Sequence, residues 1–247
     1  MNVYQFNFTP VFHNLPKLFT GALLTLAISS LAILLGFAVG VVCALLRTNG
    51  PKPLRALVSI YVEAVRNTPF LVQLFIVYFA LPTVGIRLTA VEAGIVAMVA
   101  NLGAYAAEIV RAGIDAVHRL QIEAGAALGM SRLQILRHVV LPPAIEAVYP
   151  SLTSQFILMM LASSLLSAIS VGELTGVAQL LDSLTFRSFE IYFVVGVLYV
   201  LITLVMKAAF QAIGFASFKR WRRLGGANLV FAPLQRFRRL LTNGRSA

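Results

Sequence analysis

Cysteine is almost absent. Cys43 is the only one in 247 residues, which excludes an intramolecular disulfide and any zinc site built from cysteines. Aspartate is nearly as scarce, at Asp115 and Asp182, and the three histidines, His13, His118 and His138, all lie outside the apolar runs without an H-E-x-x-H pattern. A membrane metalloprotease therefore lacks its ligands. A paired-aspartate protease lacks its acids, because the two aspartates fall on opposite sides of the topology derived below. There is no G-x-x-x-x-G-K-[ST], so any ATP must be handled by another chain, and there is no internal repeat or low-complexity tract. Charge is sparse too, at 12% of residues against 59% hydrophobic. That balance identifies an all-α integral membrane protein.

Bounding the apolar runs by the nearest charges gives about five transmembrane helices: Leu18 to Leu46, Asn67 to Ile86, Ala93 to Ala107, Ala147 to Gly172 and Ile191 to Met206. A span needs roughly 20 residues. The third and fifth runs are short by that measure, so Glu92, Glu108, Glu190 and Lys207 are expected at the interfaces. The lysine can snorkel, while the carboxylates face protein or water. In the first run Gly36 and Gly40 form a small-xxx-small pair suited to close helix packing. Pro10 and Pro16 are expected to oppose a regular helix in residues 1–17. Pro53 to Arg66 reads as an amphipathic stretch at the inner face, and Ser167 to about Arg187 as an external connection able to fold back as a short helix.

The net charge of +11 is distributed as a membrane protein distributes it, not as a nucleic-acid binder does. With the N-terminus outside, Arg47, Lys52, Arg55, Arg66, Arg111, Arg119, Arg132, Arg137 and the nine basic residues from Lys207 onward lie inside. Only Lys17, Arg87 and Arg187 lie outside. This is the positive-inside pattern with an odd number of spans. The first run lacks a basic n-region and a small-residue cleavage site, so it reads as a retained span. The basic tail suits anionic inner-leaflet lipid better than a specific partner.

Glu123 to Pro142 is the most informative segment, a polar, helix-capable loop between two apolar runs. A carboxylate and small residues (Glu123, Ala124, Gly125, Ala126, Ala127) lead to Gly129, suited to the left-handed end of a helix. Ser131 with Gln134 then fits a capping box. Helix, tight turn, helix is the reading, with small side chains that let another protein approach the backbone. Glu123-Ala124, Gly129 and Val139-x-Leu141-Pro142 at these spacings resemble the EAA motif of ABC importer permeases, with Gly125 where that motif usually has its second Ala. The segments Arg66-Asn67-Thr68-Pro69-Phe70-Leu71-Val72-Gln73, Asn101 to Glu108, Glu173-Leu174-Thr175 and Thr185 to Glu190 are similar to permeases of the polar amino acid importers, in order from about residue 20 to 215.

Polar residues inside the spans must be compensated in hydrocarbon. Asn101, Gln155 and Gln73 each have a packing reading, an interhelical hydrogen bond, and a functional one, lining a water-filled solute path. Ser163, Ser164 and Ser167 have no base beside them, and a serine in a span is commonly a packing residue. The resemblance implies solute contact for Asn101 and Gln155, with Gln73 and Ser163 as further candidates. Many members have Lys-Asp where Leu161 and Ala162 stand, which points to a sister subunit holding the charged contacts.

The resemblance therefore implies a type I ABC importer permease fold and a transport subunit, not an enzyme and without a cofactor. Residues 1–17 would form a periplasmic lead. Residues 18–216 would form the permease domain, with its coupling loop at about 117–142, and 217–247 the cytoplasmic tail. Expected partners are two ATPase subunits, a second permease subunit, identical or not, an external solute-binding protein and membrane lipid, with no nucleic acid. Glu123, Ala124, Gly125, Gly129, Leu141 and Pro142 would form the ATPase-coupling loop of a bacterial inner-membrane protein. The rivals are an ion-driven carrier, which would normally show inverted repeats, and an intramembrane enzyme.

Overall fold

The computed structural model describes residues 5–117 and 119–218. His118 and the basic tail from residue 219 onward lie outside the described residues. Among the described residues every regular element is helical. Two compact units can be distinguished, one ending at Tyr199 and one beginning at Val200, where the described part is the remainder of the last helix and Phe218.

The two prolines of the lead start helices and do not oppose them. Pro10 lies in the first turn of α1 (Thr9–His13) and Pro16 in the first turn of α2 (Leu15–Asn49). The missing N–H is free of cost there, because first-turn amides have no intrahelical acceptor. Along α2, Gly36 and Gly40 do form the close seam: a Cβ added at Gly36 would sit 2.9 Å from Leu102 Cβ, and one at Gly40 would sit 3.0 Å from the Ala107 amide nitrogen. Leu102 and Ala107 belong to α5 (Ala90–Asp115), whose start is a capping box between Thr89 and Glu92.

The expected second span, Asn67 to Ile86, is helical over Phe70–Val84 and is set off from the helix before it by a sharp bend. The helix α3 (Lys52–Arg66) stops at Asn67, and α4 (Phe70–Phe75) begins only after Pro69, continuing through a π turn (Ile76–Ala80) and a 3-10 turn (Leu81–Val84). Proline disfavours helical backbone in the residue before it, here Thr68. The two pieces meet at a bend of 111°. Among the described residues four helical runs are long and apolar enough to cross a membrane, or five if the bent pair counts as one. As expected, α3 is amphipathic, but it does not rest on the surface alone. Val58 and Val62 pack with Cys43, Ala104 and Ala107, and the Tyr61 hydroxyl donates to the Ala100 carbonyl at 2.6 Å.

The fourth run starts well before Ala147. α7 (Arg132–Ile135), a π turn (Leu136–Val140), α8 (Leu141–Ala162) and a 3-10 turn (Ser163–Ile169) follow one another without a break. The wide π turn precedes Pro142 and Pro143, so neither proline has to supply an N–H to a regular α-helical ladder. The loop's second helix and the fourth span are thereby one rod.

The connection from Ser167 to Arg187 does fold back as a helix, α9 (Leu174–Thr185), before α10 (Ser188–Ser217), but it is not wholly external. Its N-cap, Glu173, is fully buried and hydrogen-bonds Thr25 of α2 and Tyr199 of α10. Those residues are ten or more positions inside their helices, about 15 Å along the axis. The connection therefore dips inward and climbs out again. Ser170 and Phe186, one on each side of α9, are the two non-glycine residues with positive φ among the described residues.

Candidate functional site

The loop between α5 and α8 closes through backbone chemistry. α6 (Arg119–Ala127) ends at Gly129, whose φ is +74°. The Met130 N–H donates to the Gly125 carbonyl at 3.1 Å and the Gly129 N–H to the Ala126 carbonyl at 3.0 Å. These are the two bonds of a Schellman ending, which uses a left-handed residue to satisfy carbonyls the helix leaves open. Two residues on, the Gln134 N–H donates to Ser131 Oγ at 3.3 Å and the Ser131 N–H to Gln134 Oε1 at 2.8 Å, a complete capping box.

The small residues divide by face. Gly125 is buried, and a Cβ there would meet Ile135 Cγ1 at 3.2 Å, so its smallness closes the turn on itself and is not offered to a partner. Glu123, Ala124, Ala126 and Ala127 are exposed. Beside them Leu120, Leu128 and Leu133 are 65%, 82% and 72% exposed. Such large apolar side chains in a polar loop are the signal that the sequence reading passed over. Leu141 is half-buried at the start of α8 and Pro142 is exposed in its first turn. They lie one π turn beyond Ile135, which seals the turn from inside together with Val117, Val140 and Ala144.

Among the polar span residues, Asn101 and Gln73 are brought together. Asn101 is 6% exposed, and its Nδ2 donates to Gln73 Oε1 at 2.9 Å. Gln73 Nε2 in turn donates toward the Val65 carbonyl at 2.7 Å, the Thr68 carbonyl at 3.0 Å and Thr68 Oγ1 at 2.9 Å. Ser163 is fully buried with its hydroxyl on the Met160 carbonyl at 2.6 Å, a packing use. Gln155 is half-buried, and no side-chain hydrogen bond engages it among the described residues. Of the four, it is the polar group left open to meet something else.

Two carboxylates organise more of the molecule than their sequence positions suggest. Glu108 receives Arg47 at 2.7 Å and Arg66 at 3.7 Å, and pairs with Arg111 on its own helix, so the ends of α2 and α3 converge on α5. Glu173 accepts from the amides of Thr175 at 2.9 Å and Gly176 at 2.8 Å, and from the Tyr199 hydroxyl at 3.0 Å. Glu190, also fully buried, accepts from the Asn7 amide at 2.9 Å. A carboxylate at the margin of an apolar run, with arginines ending other runs, is the sequence signal for such knots. Among the described residues no cluster of histidine, cysteine and carboxylates is placed to hold a metal.

The sequence profile of a family described as the inner membrane component of binding-protein-dependent transport systems matches residues 32–216. The chain is 37% identical over 204 residues to the glutamine transport system permease protein GlnP of Escherichia coli (strain K12), covering 82% of this chain and 93% of that one. It is 36% identical over 198 residues to the probable glutamine ABC transporter permease protein GlnM of Bacillus subtilis (strain 168), covering 80% and 92%. Among solved structures, a chain of an amino acid ABC transporter with histidines superposes with a TM-score of 0.80 at 34% identity, over 85% of this chain and 99% of that one. A chain of the MetNI methionine ABC transporter in an inward-facing conformation shares the fold, with a TM-score of 0.71 at 23% identity.

Proposed function

We propose, from the premise that this chain belongs to the family of inner membrane components of binding-protein-dependent transport systems, that it is the permease subunit through which an ABC importer admits glutamine or a related polar amino acid. The family membership and the type I importer permease fold stand on the comparisons. The solute is proposed from the two glutamine permeases it resembles.

Coupling to ATP is read onto the loop, and its exposed apolar face is the observation that carries the reading. Leu120, Ala124, Leu128 and Leu133 stand out from a helix-turn-helix whose turn is internally satisfied at the end of α6 and the start of α7. A rigid, pre-formed apolar face suits helix-in-groove docking, because little conformational entropy remains to be lost on binding. Its partner would be an ATPase subunit, with Glu123 as a polar anchor at the edge. Because α7 and α8 form one rod, displacement of the docked loop would move the fourth span. Two permease subunits, two ATPases and an external binding protein complete the proposed assembly, with the loop in the cytoplasm and the N-terminus outside. Gln155 and Asn101 are the proposed solute contacts. A sister subunit would supply charged contacts where this chain has Leu161 and Ala162.

Reconstitution in vesicles tests this. With copurified partners, uptake of glutamine should require ATP and the binding protein, and the chain alone should neither transport nor hydrolyse ATP. Uptake by the chain alone under an ion gradient would overturn the reading in favour of a carrier.

A further inference from the structure

The bend between α3 and α4 is clasped by one stripe of α5. Asn101, Tyr105 and Glu108 stand at i, i+4 and i+7, which places them on one helix face. Each engages the bend. Asn101 donates to Gln73 of α4, the Tyr105 ring lies 5.7 Å from the Arg66 guanidinium, and Glu108 lies 3.7 Å from Arg66, the last residue of α3. Gln73 closes the clasp across the break, because its amide nitrogen reaches back to the carbonyl of Val65, in the last turn of α3, and to that of Thr68, within the break. Val65 otherwise accepts only the longer bonds from the Thr68 N–H at 3.4 Å and hydroxyl at 3.3 Å.

A carboxamide is planar, so the two ends of Gln73 cannot turn independently. Its oxygen is held by Asn101 and its nitrogen holds α3. Any group that reorients the Asn101 amide therefore turns the Gln73 plane and draws its N–H groups off the Val65 and Thr68 carbonyls. We propose that Gln73 is a positioning residue for transport, not a solute contact: it sets the 111° bend, and solute engaging Asn101 releases it. This deepens the reading above and rests on its assignment of Asn101 to the path. It also gives α5 a mechanical role, since the helix that carries the stripe ends at Asp115, immediately before the docking loop.

The test uses the assembled transporter in nanodiscs with Cys43→Ala as background and spin labels at exposed Ala56 and Val84, on opposite sides of the bend. Gln73→Leu removes the clasp. Gln73→Glu keeps an oxygen for Asn101 but turns a second oxygen toward the α3 carbonyls. Both should broaden the label-to-label distance distribution in the absence of any solute. Both should also raise solute-free ATP hydrolysis about fivefold, the low end of ordinary coupling between sites. Thr68→Val, an exposed change that deletes one acceptor, should broaden the distribution less, and it decides the matter if the Gln73 variants do not assemble. A distribution and basal rate unchanged from the parent in the variants that assemble would overturn the proposal. Addition of L-glutamine with the binding protein separates the two readings. Failure to stimulate the parent would count against the proposed solute, whereas the solute-free arms test the clasp alone.

Discussion

At the scale of single residues, two glycines of the loop proposed to dock the ATPase are small for different reasons, and the difference is measurable. Nothing lies within 4 Å of a Cβ built on Gly129, so space does not forbid a side chain there. Its φ of +74° does, at about 1–2 kcal/mol for an ordinary residue and less for asparagine. Gly125 has ordinary helical surroundings but faces Ile135. Gly129→Val should leave the protein in the membrane yet weaken ATPase copurification and abolish solute-stimulated hydrolysis, while Gly129→Asn retains most of both. Glu123→Ala should act in the same direction but mildly, because it leaves the backbone unchanged. Full coupling in the Gly129→Val protein would reduce the loop to a connector. The need for a left-handed residue at Gly129 was legible from the sequence, since a helix stop followed by Ser131 and Gln134 constrains the turn locally. The inward face of Gly125 was not, because Ile135 reaches it only once the turn has closed.

At the scale of elements, α9 is held by its N-cap residue. Glu173 caps two amides of its own helix and receives Tyr199 and Thr25 from two others, so a single side chain ties the re-entrant connection to α2 and α10. Glu173→Ala strands the Thr175 and Gly176 amides in a half-buried setting, at a cost toward the lower end of the about 1–3 kcal/mol typical of an unsatisfied buried group. Amide exchange across Leu174 to Ala178 should accelerate, by roughly tenfold or more. Glu173→Gln keeps one oxygen for a cap and should exchange more slowly than Glu173→Ala. Equal exchange in parent and both variants would mean that packing, not the cap, seats α9. A short helix here was foreseeable from the apolar content of the connection. Its depth was not, because the partners of Glu173 lie 148 and 26 positions away.

At the scale of the whole molecule, the proposed orientation rests on charge alone. Arginines and lysines resist transfer across the membrane, so the loops that hold them stay inside. With Cys43→Ala as background, a cysteine at exposed Arg87 should react with an impermeant thiol reagent in intact cells. One at Leu128, which is also exposed, should react only after permeabilisation. Rapid labelling at position 128 in sealed cells would invert the assigned topology and remove the docking loop from the cytoplasm.

Composition, charge asymmetry and short-range caps decide what depends on near neighbours and on the solvent: membrane insertion, about five spans, the helix-turn-helix of the loop and the resemblance to importer permeases. Each is set by interactions within a few residues or by transfer of a run as a whole. Tertiary structure decides how the polar groups are spent, and there local rules carry no information. Asn101 and Gln73 are amides that could serve solute or packing equally well, until folding sets them 2.9 Å apart across a bend. Glu108 and Glu173 are isolated charges at the margins of apolar segments until three arginines reach the first, and a helix start, a threonine and a tyrosine reach the second. A buried polar group must find a partner, but which partner it finds depends on chain crossings that no local pattern encodes.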